Sequence, residues 1–277
     1  MSKIYSPSST ANFLECEVKW VLSQQGWRSR QYGKKDVYAL RGSAIGVGCD
    51  VFHNGKGSAA AYMAVKNYIA EEWERSKLNS REWAEFKSIP LTQPEVVDMA
   101  CSVVETYTEA QLPYIVLKSE YEFSKHGRAR ADIIGQVGSG PIIPIDLKTK
   151  DKPAQVYYEY LTKRDFAFSH QMCHYMYALS EETGTLCLSY GIVLLWYGKK
   201  NSIEYVPYSI SEKRFDLWLT SARSTWERME AVEAGHVVPA EHPTHKSQWG
   251  MCEYYDACLN MNRSPILMQD SFFKVIR

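Results

Sequence analysis

The amino-acid sequence predicts a single α/β domain with a mixed central sheet flanked by helices. The predicted elements run as helices, three strands, a helix, two strands and a helix, which is typical of a layered α/β fold. The 277 residues contain no internal repeat and no long linker. With 45% hydrophobic and 23% charged residues, the composition is globular and excludes disordered and collagen-like chains.

Helical periodicity begins with residues 8–25. Ser8 or Ser9 is placed to cap the start of this helix. One apolar stripe follows at helical spacing, made of Phe13, Leu14, Val18, Val21 and Leu22. Further helices are predicted over about 44–77, 94–111, 153–182 and 211–234. We therefore expect residues 1–112 to be the helical part of the domain.

Short segments rich in β-branched residues or tyrosine predict the strands. The segments 114–124, 129–137 and 141–148 form a three-stranded meander, because glycine-containing turns separate them. Two more strands are predicted at 186–197 and 202–209. We expect 113–210 to hold the sheet and its helix, and 211–277 to hold a helix and a tail with cysteine and histidine.

The charge balance limits the classes of partner. Basic and acidic residues both number 32, so the formal net charge is zero. Proteins that coat nucleic acid non-specifically are usually basic, so binding here would need a local basic cleft. No apolar run reaches the roughly 18 residues of a membrane span. The first residues lack the apolar core of a signal peptide, which predicts a cytoplasmic protein.

Two carboxylates and a lysine stand on the second and third predicted strands. Asp146 and Lys148 are two residues apart and project from the same strand face. A hairpin of this length brings Asp132 beside Asp146, and such oxygen-rich sites suit Mg²⁺ or Mn²⁺. The alternative is a hairpin with solvated charges. Gln171 and Tyr175, four apart on one face of the next helix, favour a functional site.

Taken together, these segments resemble the PD-(D/E)xK nuclease superfamily, and within it the RecB-like branch. That branch has a G-x-x-D strand, a D-x-K strand and a helix carrying Q-x-x-x-Y. The corresponding segments here are Gly127/Arg128 through Asp132, then 146–148, then 171–175. The resemblance covers most of the chain. It implies a restriction-endonuclease-like domain, 1–277, that hydrolyses phosphodiester bonds.

The resemblance also implies a role for each matching residue. Asp132, Asp146 and the backbone carbonyl of Leu147 would bind Mg²⁺ or Mn²⁺. Lys148 would orient the attacking water or stabilise the transition state. The remaining pair, Gln171 and Tyr175, would position that lysine or contact the phosphate and the scissile-end nucleotide.

The termini carry a second partial match. RecB-like families commonly hold an iron–sulfur cluster with one cysteine near the start and a C-x-x-C-x5-C motif near the end. Cys16, Cys252 and Cys258 match, whereas Trp249 stands where the fourth cysteine is expected. The tail histidines, His245 and His242, are close enough in sequence to complete a zinc or modified cluster site. The alternative is three buried thiols that only pack.

The helix before the sheet departs from the family pattern. The family has Gly-x-x-x-His, whose histidine ligates the catalytic metal. RGSAIG supplies Gly42 but places Gly46 at the histidine position. His53 and Asp50 are the candidates to substitute, and if neither does, Asp132, Asp146 and the Leu147 carbonyl hold the metal with water completing its shell. The alternative for His53 is an exposed or capped histidine beside the AsnGly turn.

Basic residues concentrate around the predicted site. Residues 125–152 contain six of them (Lys125, Arg128, Arg130, Lys148, Lys150, Lys152) against Asp132, Asp146 and Asp151. Of these, Arg128, Arg130, Lys150 and Lys152 are the predicted DNA contacts. Lys163 and Arg164 extend the basic set onto the next helix. Tyr157, Tyr158 and Tyr160 either stack on unpaired bases or pack within the helix.

The combined expectation is a metal-dependent DNA nuclease in a bacterial or phage-infected cell. The resemblance favours an exonuclease in DNA recombination or repair, or in phage DNA processing. Its partners would be DNA and either a recombination protein or further copies of the chain, without a membrane. The alternatives are a catalytically weakened DNA-binding or assembly module, which Gly46 and Trp249 favour, and a nuclease of the CRISPR-adaptation type.

Overall fold

The computed structural model describes residues 3–24, 27–29, 37–76, 92–123, 129–151, 156–239, 246–247, 250–251 and 272–274. No helix in these segments is long and apolar enough to cross a membrane. Backbone contacts divide the chain into two units. The first comprises Met1–Gly33, Ser124–Arg128 and Asp216–Arg277, and the second comprises Lys34–Phe123 and Ala129–Phe215.

The elements are numbered in chain order. The helices are α1 (Pro7–Glu15), α2 (Glu17–Gln24), α3 (Val37–Val51), α4 (Gly57–Ser76), α5 (Gln93–Glu109), α6 (Val156–Phe166), α7 (His170–Thr183) and α8 (Glu212–Glu233). The strands are β1 (Trp27–Ser29), β2 (Ile115–Glu122), β3 (Arg130–Gln136), β4 (Ile142–Asp151), β5 (Ser189–Tyr197), β6 (Ser202–Ser209), β7 (Lys246–Ser247), β8 (Gly250–Met251) and β9 (Phe272–Lys274).

A five-stranded mixed sheet forms the centre of the second unit. Its strand order is β2-β3-β4-β5-β6, with β4 and β5 parallel and all other neighbours antiparallel. The parallel pair is connected through α6 and α7, because parallel neighbours need a long crossover. The predicted α/β class and the meander of three strands are thereby confirmed.

Helices cover this sheet on both faces. α3, α4 and α5 pack on one another, and α3 also contacts β4. A side chain at Gly42 of α3 would meet Thr149 Oγ1 at 3.9 Å, whereas Lys148 bonds to Gln171 of α7. Since successive residues of a strand point to opposite faces, α3 and α7 lie on opposite faces of β4.

The first unit contains α1 and α2 and most of α8. Trp226 of α8 donates its indole N–H to Thr10 of α1 at 3.1 Å, and Arg228 forms an ion pair with Glu17 of α2. Two short antiparallel pairs, β1 with β9 and β7 with β8, belong to the same unit. Its aromatic core includes Trp20, which meets Phe13 edge-on.

Two helices that the sequence predicts as continuous are interrupted. The segment 8–25 breaks at Cys16, whose backbone is extended, and Ser6 rather than Ser8 or Ser9 caps its start. Leu14, predicted within the apolar stripe, is exposed as a result. The segment 153–182 ends at Phe166 and restarts after Ser169, whose hydroxyl caps the new helix. At Ser169 a side-chain cap begins the new helix, and at Cys16 the extended backbone ends the first one.

The predicted helix 44–77 contains a kink. The kink lies within Phe52–Lys56, between α3 and α4, where Gly55 has a non-helical backbone with φ 74°. Only glycine adopts this conformation without steric cost, which explains why the Asn54-Gly55 pair interrupts the α-helix.

Candidate active site

The candidate site forms where β3 and β4 part. The two strands pair from Gln136–Ile142 to Ile133–Ile145. One step further, the same register places Asp132 opposite Asp146. Here Asp132 Oδ2 accepts a hydrogen bond from the backbone N–H of Leu147 at 2.7 Å. The Asp132 carboxylate therefore accepts the hydrogen bond that a backbone carbonyl of β3 would accept if the two strands stayed paired.

Lys148 joins the second carboxylate to helix α7. Its Nζ lies 2.7 Å from Asp146 Oδ2, and Asp146 is only 1% exposed. The same Nζ donates to Gln171 Oε1 at 3.3 Å, while Gln171 Nε2 donates to Asp146 Oδ1 at 3.4 Å. Gln171 Nε2 also reaches Tyr175 Oη at 2.8 Å. The four predicted residues from β4 and α7 therefore form one network.

Burial and like charge dominate the electrostatics of the two acids. Burial, followed by the charge of Asp146, raises the pKa of Asp132 to about 7, although the Leu147 N–H and Lys148 oppose this shift. For Lys148, burial lowers the pKa, but the neighbouring Asp146 and Asp132 charges outweigh it, so its pKa is raised. The site thus holds more negative charge than its lysine neutralises.

The donor set fits a hard divalent cation. Asp146 Oδ2 accepts no hydrogen bond from a described residue beyond its contact with Lys148. The N–H and C=O of one strand residue point to the same side, so the Leu147 carbonyl opens on the gap between β3 and β4. Carboxylate and carbonyl oxygens are the ligands that Mg²⁺ and Mn²⁺ prefer. Among the described residues, no three His, Cys, Asp or Glu side chains form a metal group by themselves.

The predicted substitutes for the family histidine make other contacts. His53 Nε2 lies 2.8 Å from Tyr107 Oη, which in turn lies 3.1 Å from Tyr114 Oη. Burial lowers the pKa of His53, and the charge of Asp50 partly opposes this. Asp50 Oδ1 accepts from Ser119 at 2.6 Å. A metal-ligating role for either residue stays a prediction that these contacts do not support.

Gly46 itself faces open space. A Cβ built at this position has no atom within 4 Å among its described surroundings. The position on α3 therefore has room for a side chain, although glycine supplies none. Water would have to fill the place that a histidine side chain takes in the family.

Some of the predicted basic residues lie within the described chain, and the others lie outside it. Arg130 and Lys150 lie within the described chain, the first in an ion pair with Glu120 and the second 5.9 Å from the ring of Phe166. Arg164 is exposed. Lys163 forms an ion pair with Glu204 at 2.6 Å, and its role in DNA binding stays a prediction. Tyr160 is 60% exposed and does not pack within the helix.

Several predicted residues lie outside the described segments. These are Lys125, Gly127, Arg128, Lys152, His242, His245, Trp249, Cys252 and Cys258, together with the side chains of Tyr157 and Tyr158. Cys16 is described: it is buried as a free thiol, and its sulfur accepts from the Lys19 N–H at 3.5 Å. The iron–sulfur or zinc site at the termini therefore stays a prediction.

One residue beside the site was not predicted from the sequence. Glu120 of β2 lies opposite Asp132 in the register of β2 and β3, and its charge contributes to the raised pKa of Asp132. The sequence signal for Glu120 is its spacing, because Glu120 and Asp132 are equally far from the turn between β2 and β3. That signal can be read only once the pairing of β2 with β3 is known.

A family model and a solved structure are similar to this chain. The PD-(D/E)XK nuclease superfamily matches residues 4–259. A crystal structure from Eubacterium rectale, described as a "putative exonuclease", is 15% identical with a TM-score of 0.48, covering 99% of this chain and 91% of that one. The chain has no match among curated proteins. From its sequence match over most of its length, the chain belongs to the PD-(D/E)XK nuclease superfamily.

Proposed function

We propose that this protein is a DNA nuclease that hydrolyses phosphodiester bonds with the help of Mg²⁺ or Mn²⁺. One observation carries the proposal: Asp132 and Asp146 face each other where two strands part, and Lys148 joins Asp146 to Gln171. A scaffold without catalysis gains nothing from a buried Asp146, a partly buried Asp132 and a lysine at one point, since burying charge opposes folding. Family membership supports the same conclusion.

The ion would be held by Asp132, Asp146 and the Leu147 carbonyl. A bound divalent cation supplies Lewis acidity, which stabilises charge on a phosphate and lowers the pKa of a coordinated water. A divalent cation held by these residues would also offset the charge of Asp146, which after burial is the next largest cause of the raised pKa of Asp132.

Lys148 would act on the phosphate and the attacking water. Its raised pKa keeps the ammonium charged at neutral pH, so it serves as a donor and a positive charge, not as a base. Gln171 holds this ammonium in place through Oε1 and is itself held by Tyr175. A substrate phosphate that approaches Lys148 therefore meets a donor whose position is already determined.

The finer proposal is an exonuclease that acts in DNA recombination or repair, or in phage DNA processing. The support is the combination of the D-x-K strand with the Q-x-x-x-Y helix, now placed in one network. We keep the CRISPR-adaptation type as an alternative of the same chemistry. Mapping products from DNA labelled at the 5′ or the 3′ end distinguishes stepwise removal of nucleotides from internal cleavage.

The central test is digestion of end-labelled linear DNA with Mg²⁺ or Mn²⁺. We expect cleavage by the wild type and loss of at least about 10³-fold in Asp146→Ala, because the metal ligand is removed. Asp165→Asn is the matched control, since Asp165 is an exposed acid on α6. Equal cleavage by wild type and Asp146→Ala contradicts the proposal. DNA binding without cleavage in either metal would instead identify a binding module.

A further inference from the structure

Glu120 is held in an unusual backbone conformation beside the site. It has φ 46°, and among the described residues it is the only one besides glycines with a positive φ. A left-handed conformation is unfavourable for a residue with a Cβ, and such positions concentrate at functional sites. The conformation needs an explanation beyond strand formation.

This conformation reverses the alternation of β2. Ser119 and Tyr121, which flank Glu120, would share one face of a regular strand. Instead Ser119 bonds to Asp50 of α3, whereas Tyr121 donates to Glu182 of α7 at 2.8 Å. The strand therefore changes face at Glu120, level with Asp132 in the neighbouring strand.

The Glu120 carboxylate holds an arginine at the edge of the site. Arg130 Nε lies 2.8 Å from Glu120 Oε2, with the arginine side chain 64% exposed and the glutamate 33%. The residue paired with Arg130 across the strands is Glu122, yet the ion pair goes to Glu120. The terminal guanidinium nitrogens make no hydrogen bond or ion pair with another described residue.

Arg130 lies on the site side of β3. It precedes Asp132 by two residues and so projects from the same strand face. Burial raises the pKa of the Tyr175 phenol, and the charge of Arg130 opposes that rise, so the guanidinium is within electrostatic reach of the α7 network. A guanidinium anchored through Nε presents its two other nitrogens as a fork that matches two phosphate oxygens.

We propose that Glu120 is a positioning residue, which holds Arg130 so that its free nitrogens bind a DNA phosphate next to the scissile one. This inference rests on the proposed nuclease function and names residues that bind its substrate. The left-handed backbone at Glu120 places the Glu120 carboxylate next to Arg130. In a regular strand, Glu122 would be the neighbour of Arg130 instead. Glu120 acts through Arg130 and not on the reacting phosphate.

A double-mutant cycle tests the coupling. In Mg²⁺-dependent digestion of end-labelled DNA, we expect Glu120→Gln and Arg130→Gln each to raise KM about tenfold, with kcat within about twofold. The KM of the double variant is expected to be no higher than that of Arg130→Gln, because both substitutions remove the same phosphate contact. Glu122→Gln, the neighbouring acid on the same strand, is expected to match the wild type.

Stability separates positioning from a structural role. Glu120→Gly relieves the left-handed backbone, so its Tm should equal or exceed that of the wild type while KM still rises about tenfold. A lower Tm of Glu120→Gly together with the rise in KM would overturn the proposal, because Glu120 would then have a structural role. An unchanged KM in Glu120→Gln would also overturn it.

Binding measurements distinguish this proposal from the proposed activity. Fluorescence anisotropy with labelled DNA and Ca²⁺ needs no cleavage. We expect Arg130→Gln and Glu120→Gln to weaken binding, and Arg130→Gln to reduce the salt slope by about one phosphate contact. If the wild type binds DNA without cutting it, the nuclease proposal fails while this comparison still holds. Wild-type affinity in both variants would reject the phosphate contact alone.

Discussion

Two ion pairs of nearly equal length have different surroundings in this protein. Lys148 lies 2.7 Å from Asp146 at the site, where the aspartate side chain is 2% exposed. Lys3 lies 2.8 Å from Glu233 in the first unit, where both side chains are about half exposed. Glu233 also accepts from Tyr5, and these contacts lower its pKa, with the Lys3 hydrogen bond as the largest cause.

The difference shows what each pair is suited to do. Exposed pairs gain little net energy because water screens them. A buried pair opposes folding through desolvation, and at the site a second carboxylate, Asp132, adds like charge. The sheet therefore carries an unfavourable arrangement at the one place where function is proposed, which agrees with the rule that proteins break stability rules at functional sites.

Replacing the lysine of each pair should give the largest difference between the two pairs, in both stability and DNA cleavage. Lys148→Met leaves Asp146 buried without its cation and should destabilise the protein by about 3–5 kcal/mol, with cleavage reduced by at least about 10³-fold. Lys3→Met should cost less than about 1 kcal/mol and leave cleavage unchanged. Urea unfolding and DNA digestion measure both. Similar stability losses in the two variants would contradict the contrast.

Proton binding at Asp132 should appear as a pH dependence of stability. The pKa of about 7 in the folded state exceeds that of the unfolded chain, so the folded protein binds more protons between about pH 4 and 7. The metal-free protein should therefore gain stability as pH falls from 8 to 5, on the order of 2–3 kcal/mol from this group. Asp132→Asn should abolish that part of the dependence. A profile identical to the wild type would show that Asp132 does not titrate there.

Binding of a divalent metal should offset the repulsion between the Asp132 and Asp146 carboxylates and so stabilise the protein. At about 100 times its Kd, Mg²⁺ or Mn²⁺ should stabilise the protein by about 2.7 kcal/mol, which corresponds to a rise in Tm of roughly 5–10 °C at pH 8. EDTA should reverse the rise. Asp146→Asn should lose it, whereas Glu233→Gln should keep it. An equal rise in both variants would place the metal elsewhere.

Two glycines of α3 should respond in opposite directions. A Cβ at Gly48 would lie 2.8 Å from Val65 Cγ2 and 2.9 Å from Val104 Cγ2, so Gly48→Ala should destabilise by about 1–3 kcal/mol. A Cβ at Gly46 meets nothing within 4 Å among the described atoms, so Gly46→Ala should stabilise by up to about 1 kcal/mol. Thermal unfolding of the two variants measures this. Destabilisation by Gly46→Ala would show that the space is filled.

Much of the fold was predictable because it follows local periodicity. The five central strands and the α/β class agree with their predicted segments. The helix breaks at Cys16 and Ser169 were not predicted, because they depend on local hydrogen bonds to the Cys16 sulfur and the Ser169 hydroxyl rather than on the apolar periodicity. The network of Lys148 with Asp146 and Gln171 was predictable from spacing on one strand and one helix.

The sequence by itself determined which residues meet at the site, because their spacing on β4 and α7 sets a common face. Only the tertiary structure decided what surrounds them. The left-handed backbone at Glu120 reverses a strand face, and no side-chain pattern encodes such a reversal. The contact of His53 with Tyr107 and the open space at Gly46 likewise depend on how separate elements pack. Spacing along a chain specifies direction within an element, whereas distances between elements come from packing.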